Sequence, residues 1–139
     1  MLIAMRKASL MMLLSLVSSS AMAEWVEVFR DEAVTVYADP AAIRKTANRA
    51  QLWVLYDYQS VQSSNSSRPY RSSRRQSEYD CMEGQSRILS LTGHSANMAE
   101  ADTVFTLSNP EEWETVPPSS IAELMWKIAC GKTAVKQIQ

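Results

Sequence analysis

The sequence predicts an α+β fold: a single domain with a sheet of about six strands and one carboxy-terminal helix, tied on by one disulfide. Three observations predict it. Short β-rich segments separated by turn residues fill most of the chain. Apolar residues recur at helical spacing only near the carboxy terminus, and two cysteines lie where they can join that helix to a strand.

The first 23 residues have the features of a secretory signal. A basic start with Arg6 and Lys7 precedes an apolar run of about ten residues and an Ala21-Met22-Ala23 exit. The run is shorter than the roughly 20 residues of a membrane-spanning helix. We therefore expect residues 1–23 to be cleaved and residues 24–139 to form the domain. No cysteine lies near the cleavage site, so the sequence does not predict a lipoprotein.

Six segments of the mature chain are typical of strands: 24–31, 34–39, 49–59, 70–82, 85–92 and 103–108. The third is almost continuously apolar or aromatic, which predicts a central strand with both faces at least partly covered. Asp39-Pro40 predicts a single helical turn over 40–44, with Asp39 as its N-cap. Polar residues 61–67 predict a loop, and residues 93–102 an irregular connection.

The carboxy-terminal helix has recognisable start and stop signals. Ser120 and Glu123 match a capping box after two prolines, and Gly131 is placed to end the helix. Its apolar face contains Ile121, Leu124, Met125, Ile128 and Ala129.

Cys81 and Cys130 are the only cysteines of the chain. An even number in an exported protein predicts a disulfide, because compartments beyond the inner membrane are oxidising. The loop that such a bond closes corresponds to a stabilisation of about 4 kcal/mol in the chain-entropy account. The alternatives are two free thiols or half of a metal site.

The sequence offers no pattern for catalysis, a metal or a cofactor. His94 is the only histidine, and we expect a polar loop residue bonded to backbone rather than a catalytic base. One histidine and two paired cysteines do not complete a zinc site, and three glycines in the whole chain do not make a phosphate-binding loop. Core or edge packing is the expectation for the four tryptophans, Trp25, Trp53, Trp113 and Trp126. The sequence therefore predicts a protein that is not an enzyme.

The stretch Ser67–Cys81 concentrates four arginines, Arg68, Arg71, Arg74 and Arg75, just before a cysteine. Three interpretations are open: a binding patch for a polyanion or acidic partner, charges that protect a strand edge, or a solvated hairpin. Removing the signal takes two bases and no acids, which leaves a net charge of −3. That charge, export, and the alternation of the arginines between two faces disfavour nucleic-acid binding.

The order of motifs resembles the surface-adhesin protein E family of Gram-negative bacteria. The residues that carry the resemblance are EWVEV, TVYADPAAIRK, LYDYQ, SSRRQSEYDC, RILSLTGHSANMA and VPPSSIAELMWKIAC, which together span Glu24 to Lys132. The resemblance implies a six-stranded antiparallel sheet with a disulfide-held helix, and it allows homodimers. The chain departs from the family pattern at one point. After the HS-x-x-M segment many relatives have a glycine, whereas this chain has Ala99-Glu100-Ala101.

The founding adhesin of the family is a lipoprotein that binds host matrix and serum proteins. The resemblance thus implies contact with such proteins through Arg68, Arg71, Arg74 and Arg75, and the charge of these residues also suits a sulfated polysaccharide. The export signal predicts location in the periplasm or at the cell surface. The alternative function is a periplasmic structural or inhibitor-like protein without host contact.

Overall fold

The computed structural model describes residues 24–64 and 67–135; the predicted signal peptide, residues 1–23, lies outside them. The strands are β1 (Val26–Arg30), β2 (Val34–Ala38), β3 (Arg44–Thr46), β4 (Arg49–Ser64), β5 (Ser67–Asp80), β6 (Gln85–His94), β7 (Thr103–Leu107) and β8 (Glu114–Thr115), and the helix is α1 (Ile121–Ala129). They form one antiparallel sheet in the order β1-β2-β4-β5-β6-β7, with β3 beside β4 and β8 beside β6. The predicted α+β fold is confirmed, with two short strands added.

One face of the sheet is covered by α1. Because side chains alternate along a strand, β2 and β4 each bury every second residue against the helix. The buried cluster consists of Val34, Val36, Ala38, Ala50, Leu52, Val54, Tyr79, Met125, Ile128 and Ala129. We call this side the covered face, and the other side the open face.

The helix begins and ends as the sequence predicts. Ser120 Oγ accepts a hydrogen bond from the Glu123 backbone N–H at 3.1 Å, which satisfies one of the free donors of the first turn. The Glu123 carboxylate instead pairs with Lys127, with 3.4 Å between Oε1 and Nζ. Gly131 ends the helix at φ 71°, a backbone conformation that glycine adopts without steric cost.

The disulfide Cys81–Cys130 joins the end of β5 to the end of α1, with the two Cα atoms 5.6 Å apart. The predicted pairing and its place in the fold are therefore confirmed. Trp126 supports the same junction, since its indole Nε1 donates a hydrogen bond to the Asp80 carbonyl at 2.9 Å. The helix is thus held at its carboxy-terminal end by a covalent bond and a side-chain bond to one strand.

The prediction of a polar loop over 61–67 is wrong for most of that segment. Strand β4 continues to Ser64 and β5 begins at Ser67, with Ser64 opposite Ser67 and Gln62 opposite Tyr70. Backbone pairing between two adjacent antiparallel strands does not require apolar side chains, so a serine-rich sequence can extend the hairpin. The hairpin therefore reaches beyond the rest of the sheet.

Three other boundaries differ from the predictions. The turn after Asp39 is a 3-10 helix over Pro40–Ala42, and the Asp39 side chain makes no capping hydrogen bond. Arg44 belongs to β3 rather than to that turn, because it pairs with Gln51 of β4. β6 includes Gly93 and His94, which were predicted to be irregular, because both pair with β5 and β7. No helix among the described residues is long and apolar enough to cross a membrane.

Candidate functional site

The four arginines of the predicted patch do not form one cluster. Arg68 is exposed on the extended hairpin, and Arg71 is half-buried nearer the sheet. Arg74 lies on the open face, where its guanidinium carbon is 4.1 Å from the centre of the Trp53 ring. Arg75 lies on the covered face, 3.9 Å from the centre of the Tyr56 ring. Adjacent residues of one strand point to opposite faces, so this dipeptide divides between two environments.

A register shift changes which residues share a face with Arg75. Tyr70 makes edge-to-face contacts with Tyr58 and Phe105, at 6.0 and 5.1 Å between ring centres. Tyr58 lies on the covered face, opposite the core residue Val34. Tyr70 and Ser73 therefore face the same side although they are three positions apart, because the β4–β5 ladder shifts register between Asp57 and Gln62. The simple alternation of the arginines between two faces, which the sequence predicts, does not extend through this bulge.

Arg75 is a packed side chain of the covered face. Its Nη2 donates a hydrogen bond to Ser73 Oγ at 3.3 Å, and it lines a cavity of about 180 Å³ together with Tyr56, Met125 and Ala122. Burial raises the pKa of the Tyr56 phenol, with the Arg75 charge acting in the opposite direction. This arginine therefore packs between the sheet and α1.

Arg74 is placed differently. Its Nε, like that of Arg75, is buried without a hydrogen bond to the described residues, and its guanidinium lies over the indole of Trp53. Stacking uses the face of a guanidinium and leaves N–H groups along its edge for an anion. Within residues 24–64 and 67–135, the ion pairs are Arg30–Glu27, Arg87–Glu78 and Lys127–Glu123, and none of them involves Arg74.

Trp53 also borders a groove of about 560 Å³ on the open face. The groove is lined by residues 41–44, Gln51, Trp53 and Gln76. Arg44 reaches it from β3, opposite Gln51, and its neighbour Lys45 faces the other way, opposite Ala50 of the core. Arg44 and Arg74 are 30 positions apart in the sequence, and the fold brings both to the side of the sheet that carries Trp53.

A polar network continues from the groove toward the strand ends. Gln76 donates to Gln51 at 3.2 Å, and Gln51 donates to Glu78 at 3.3 Å. The other oxygen of Glu78 accepts two hydrogen bonds from Arg87, at 2.9 and 2.7 Å. The same Arg87 stacks on Trp113 at 4.6 Å, and Arg49 stacks on that ring at 5.1 Å. These bonds hold the two glutamines in place and neutralise the Glu78 carboxylate.

The connection after β6 packs on the other end of the open face. Asp57 Oδ1 accepts hydrogen bonds from Asn97 Nδ2 and the Met98 N–H, each at 2.9 Å. Ser72 Oγ donates to the Ala96 carbonyl at 2.6 Å and accepts from the Ala99 N–H at 2.9 Å. Four hydrogen bonds therefore fix a segment in which Met98 and Ala99 both have positive φ.

His94 differs from the loop residue that we predicted. It ends β6, and its Nε2 lies 2.9 Å from Thr92 Oγ1, a side-chain rather than a backbone partner. Burial lowers the pKa of this imidazole, and the positive charge of Arg74 lowers it further. Among the described residues, no three His, Cys, Asp or Glu side chains are grouped so that they could hold a metal ion.

A family model described as surface-adhesin protein E matches residues 25–131, which include every element of the sheet and the helix. The chain belongs to the surface-adhesin protein E family. No curated protein matches it. Membership of the surface-adhesin protein E family supports an exported, surface-adhesin-like protein that binds rather than catalyses, and it suggests binding to host proteins in general.

The sequence pointed to Arg74 in this surface-adhesin protein E domain but missed Arg44 and the groove beside Trp53. The available signal was the pairing of basic residues, Arg44-Lys45 and Arg74-Arg75, each within a strand. In a strand such a pair places one charge on each face. The order of the strands in the sheet must also be known before one can see that Arg44 and Arg74, the first members of the two pairs, lie on the same side.

Proposed function

We propose that this protein is an exported, non-enzymatic adhesin that binds an anionic partner through the open face of its sheet and the adjoining hairpin. The partner is a host matrix or serum protein with an acidic surface, or a sulfated polysaccharide. The observation that carries this proposal is the Arg74 guanidinium stacked on Trp53, unpaired with any carboxylate among the described residues. Arg68 extends the positive charge onto the hairpin, where its side chain is exposed.

Charge attraction at an exposed surface supports this function because it accelerates encounter and is screened by salt. The net charge of the mature domain is negative, so attraction has to come from a local patch. Arg68, Arg71 and Arg74 are the arginines we assign to that patch, and Arg75 leaves it because it packs against Tyr56 and α1.

Heparin binding tests the proposal. We expect wild-type residues 24–139 to bind immobilised heparin, with affinity that falls steeply as sodium chloride rises. Replacing Arg68, Arg71 and Arg74 together by alanine should abolish retention at physiological salt. The matched control is Arg30→Ala, since Arg30 is an exposed arginine already paired with Glu27 on the edge strand β1. Equal retention of the triple variant and the control would refute the patch.

Location in the cell separates the adhesin from a second candidate. The signal lacks a lipid-accepting cysteine, which favours a periplasmic structural or inhibitor-like protein without host contact. Protease treatment of intact cells distinguishes the two. Digestion of the protein on intact cells, with a periplasmic marker protected, supports the adhesin. Protection of both proteins supports the periplasmic candidate.

The resemblance to the family also allows homodimers, and this oligomeric state stays a prediction.

A further inference from the structure

The groove beside Trp53 has the volume of a small-ligand site. Its volume of about 560 Å³ lies within the roughly 300–1,000 Å³ common for such sites. Its lining includes Trp53, the segment 41–43 and the two glutamines Gln51 and Gln76. An aromatic ring beside amides suits a ligand with both an apolar surface and hydroxyl groups, as a pyranose ring has.

The described residues that line the groove include one basic side chain, Arg44, and no acidic one, and Arg74 borders the groove through the Trp53 ring. Asp39 lies next to this lining, and its backbone N–H donates to the Trp53 carbonyl at 3.1 Å. The nearest carboxylate in the polar network, Glu78, is already paired with Arg87 and hydrogen-bonded by Gln51. An arginine at the mouth of such a groove recognises a carboxylate by two parallel N–H···O bonds.

The two glutamines are oriented by their own bonds. Gln76 Nε2 donates to Gln51 Oε1, and Gln51 Nε2 donates to Glu78, which fixes the direction of both amides. Each amide has two N–H donors and two acceptor lone pairs on its oxygen, so hydrogen-bonding capacity is left over on both. Amides held in this way are ready to bond ring hydroxyls without first losing rotamer freedom.

We propose that this groove binds a carboxylated sugar unit, such as a uronic or sialic acid residue of a glycan. The carboxylate pairs with Arg44, the pyranose ring packs on Trp53, and hydroxyl groups bond to Gln51 and Gln76. This inference rests on the proposed function, because it assigns a ligand to part of the same open face. The two proposals differ in what is recognised. The groove recognises a carboxylate attached to a sugar ring, whereas the arginine patch attracts polyanions by charge.

The test follows backbone, indole and side-chain amide signals of ¹⁵N-labelled residues 24–139 during titration with sodium glucuronate. Glucose and sodium acetate supply the ring and the carboxylate separately. We expect glucuronate to shift the Trp53 indole and the Gln51 and Gln76 amides, and to bind at least about tenfold more tightly than either control, since charge-assisted pairs add to ring contacts. Arg44→Gln should weaken glucuronate binding by about tenfold or more.

Lys45→Gln is the matched control, because it removes one positive charge from the neighbouring position on the covered face. Both residues are exposed, so neither variant should disturb folding. Equal effects of the two substitutions would mean that only overall charge matters, and would overturn the assignment of Arg44. If acetate binds as tightly as glucuronate, the sugar ring does not contribute to binding and the proposal of a sugar site is wrong.

The same samples separate this inference from the proposed function. If wild type binds heparin with the expected salt dependence but glucuronate shifts no groove signal, the groove proposal is wrong and the adhesin proposal stands. If glucuronate binds at the groove but heparin is not retained, the patch is wrong and the sugar site stands. Absence of both kinds of binding refutes both.

Discussion

The two faces of the sheet use the same kind of residue for different purposes. On the covered face, Arg75 lies on Tyr56 and lines a cavity together with Ala122 and Met125 of α1. On the open face, Arg74 lies on Trp53 beside a polar groove. The stacking distances differ by only 0.2 Å, at 3.9 and 4.1 Å. The difference lies in the neighbours: residues of α1 line the cavity beside Arg75, whereas residues 41–44, Gln51 and Gln76 line the groove beside Trp53.

The comparison shows why counting charges in a sequence is a poor guide to a binding surface. A run of four arginines contains members of both faces, while Arg44, outside the run, joins Arg74 beside Trp53.

The two edge strands of the sheet also differ in their charged residues. β1 carries a bulge and the Glu27–Arg30 ion pair, which protect it from pairing with another chain, whereas β7 contains no charged residue.

The largest expected effect concerns the bond that holds the covered face together. Replacing Cys81 and Cys130 by alanine should lower the free energy of unfolding by about 4 kcal/mol, because the unfolded chain regains the entropy of a loop of about 50 residues. In a domain of this size that corresponds to a fall in Tm of roughly 15 °C or more. Calorimetry of residues 24–139 with and without the two substitutions measures it.

The open face supplies the control for this effect. If α1 is the element released, the Trp126 environment should change in the double variant while Arg74 and Trp53 signals stay as in wild type at low temperature. A melting temperature within a few degrees of wild type would show that packing of Met125 and Ile128 alone holds the helix, and the disulfide would lose its assigned role.

The second prediction separates Arg74 from Arg75. Arg75→Ala should lower the free energy of unfolding by about 1–2 kcal/mol, because it removes a cation–π contact and side-chain packing next to α1. Arg74→Ala should cost less than about 1 kcal/mol, since it removes a cation–π contact beside a groove that α1 does not line. Urea unfolding measures both, and heparin retention should show the reverse order, with loss only for Arg74→Ala.

The proposed difference between the two faces is wrong if Arg74→Ala and Arg75→Ala behave alike in both urea unfolding and heparin retention. A third variant, Arg75→Lys, sharpens the test, because lysine keeps the charge but lacks the flat guanidinium. A stability loss for Arg75→Lys close to that of Arg75→Ala would identify the planar stack, rather than the charge, as the stabilising contact.

The local signals in the sequence were sufficient for much of the fold. Ser120 and Gly131 define α1 correctly because capping and chain reversal depend on residues a few positions apart. The pairing of Cys81 with Cys130 followed because no other cysteine competes. These features are decided by short-range chemistry or by elimination.

Features decided by long-range pairing were missed. The serine-rich end of β4 forms a strand because β5 lies beside it, a fact that its composition does not carry. β3 and β8 exist only through their partners β4 and β6, and Trp53 becomes part of a groove only when β3 brings Arg44 beside it. Finding the candidate site therefore requires knowledge of the strand order, whereas the run of arginines can be seen in the sequence alone.

A smaller effect is expected in the segment that packs on the open face after β6. Ala99 has φ 56°, a conformation that costs an L-residue with a side chain about 1–2 kcal/mol. Glycine removes that cost but loses more chain entropy, about 0.5–1 kcal/mol. Ala99→Gly should therefore stabilise the domain by about 0.5 kcal/mol in urea unfolding.

The matched control is Ala41→Gly, at an exposed position that lies outside the positive-φ set and should lose stability. If Ala99→Gly destabilises the domain as much as Ala41→Gly does, the hydrogen bonds from Asp57 and Ser72 impose no strain on this segment.

The smallest expected effect is a pH dependence that belongs to the open face. The pKa of His94 is lowered from its ordinary 6.5, first by burial and then by Arg74. The unfolded chain therefore binds the His94 proton more readily than the folded domain does. Stability from this group is present at neutral pH and falls as the pH drops from near 6.5 toward the lowered value.

Urea unfolding of wild type and His94→Gln at several pH values isolates this contribution, because changes due to carboxylates are common to both proteins. The wild type should lose more stability than the variant on acidification. Arg74→Ala should reduce the difference, since it removes the charge that disfavours a second cation beside it. A difference that is unchanged by Arg74→Ala would assign the lowered pKa to burial alone, and would show that Arg74 directs its charge away from His94 and toward solvent.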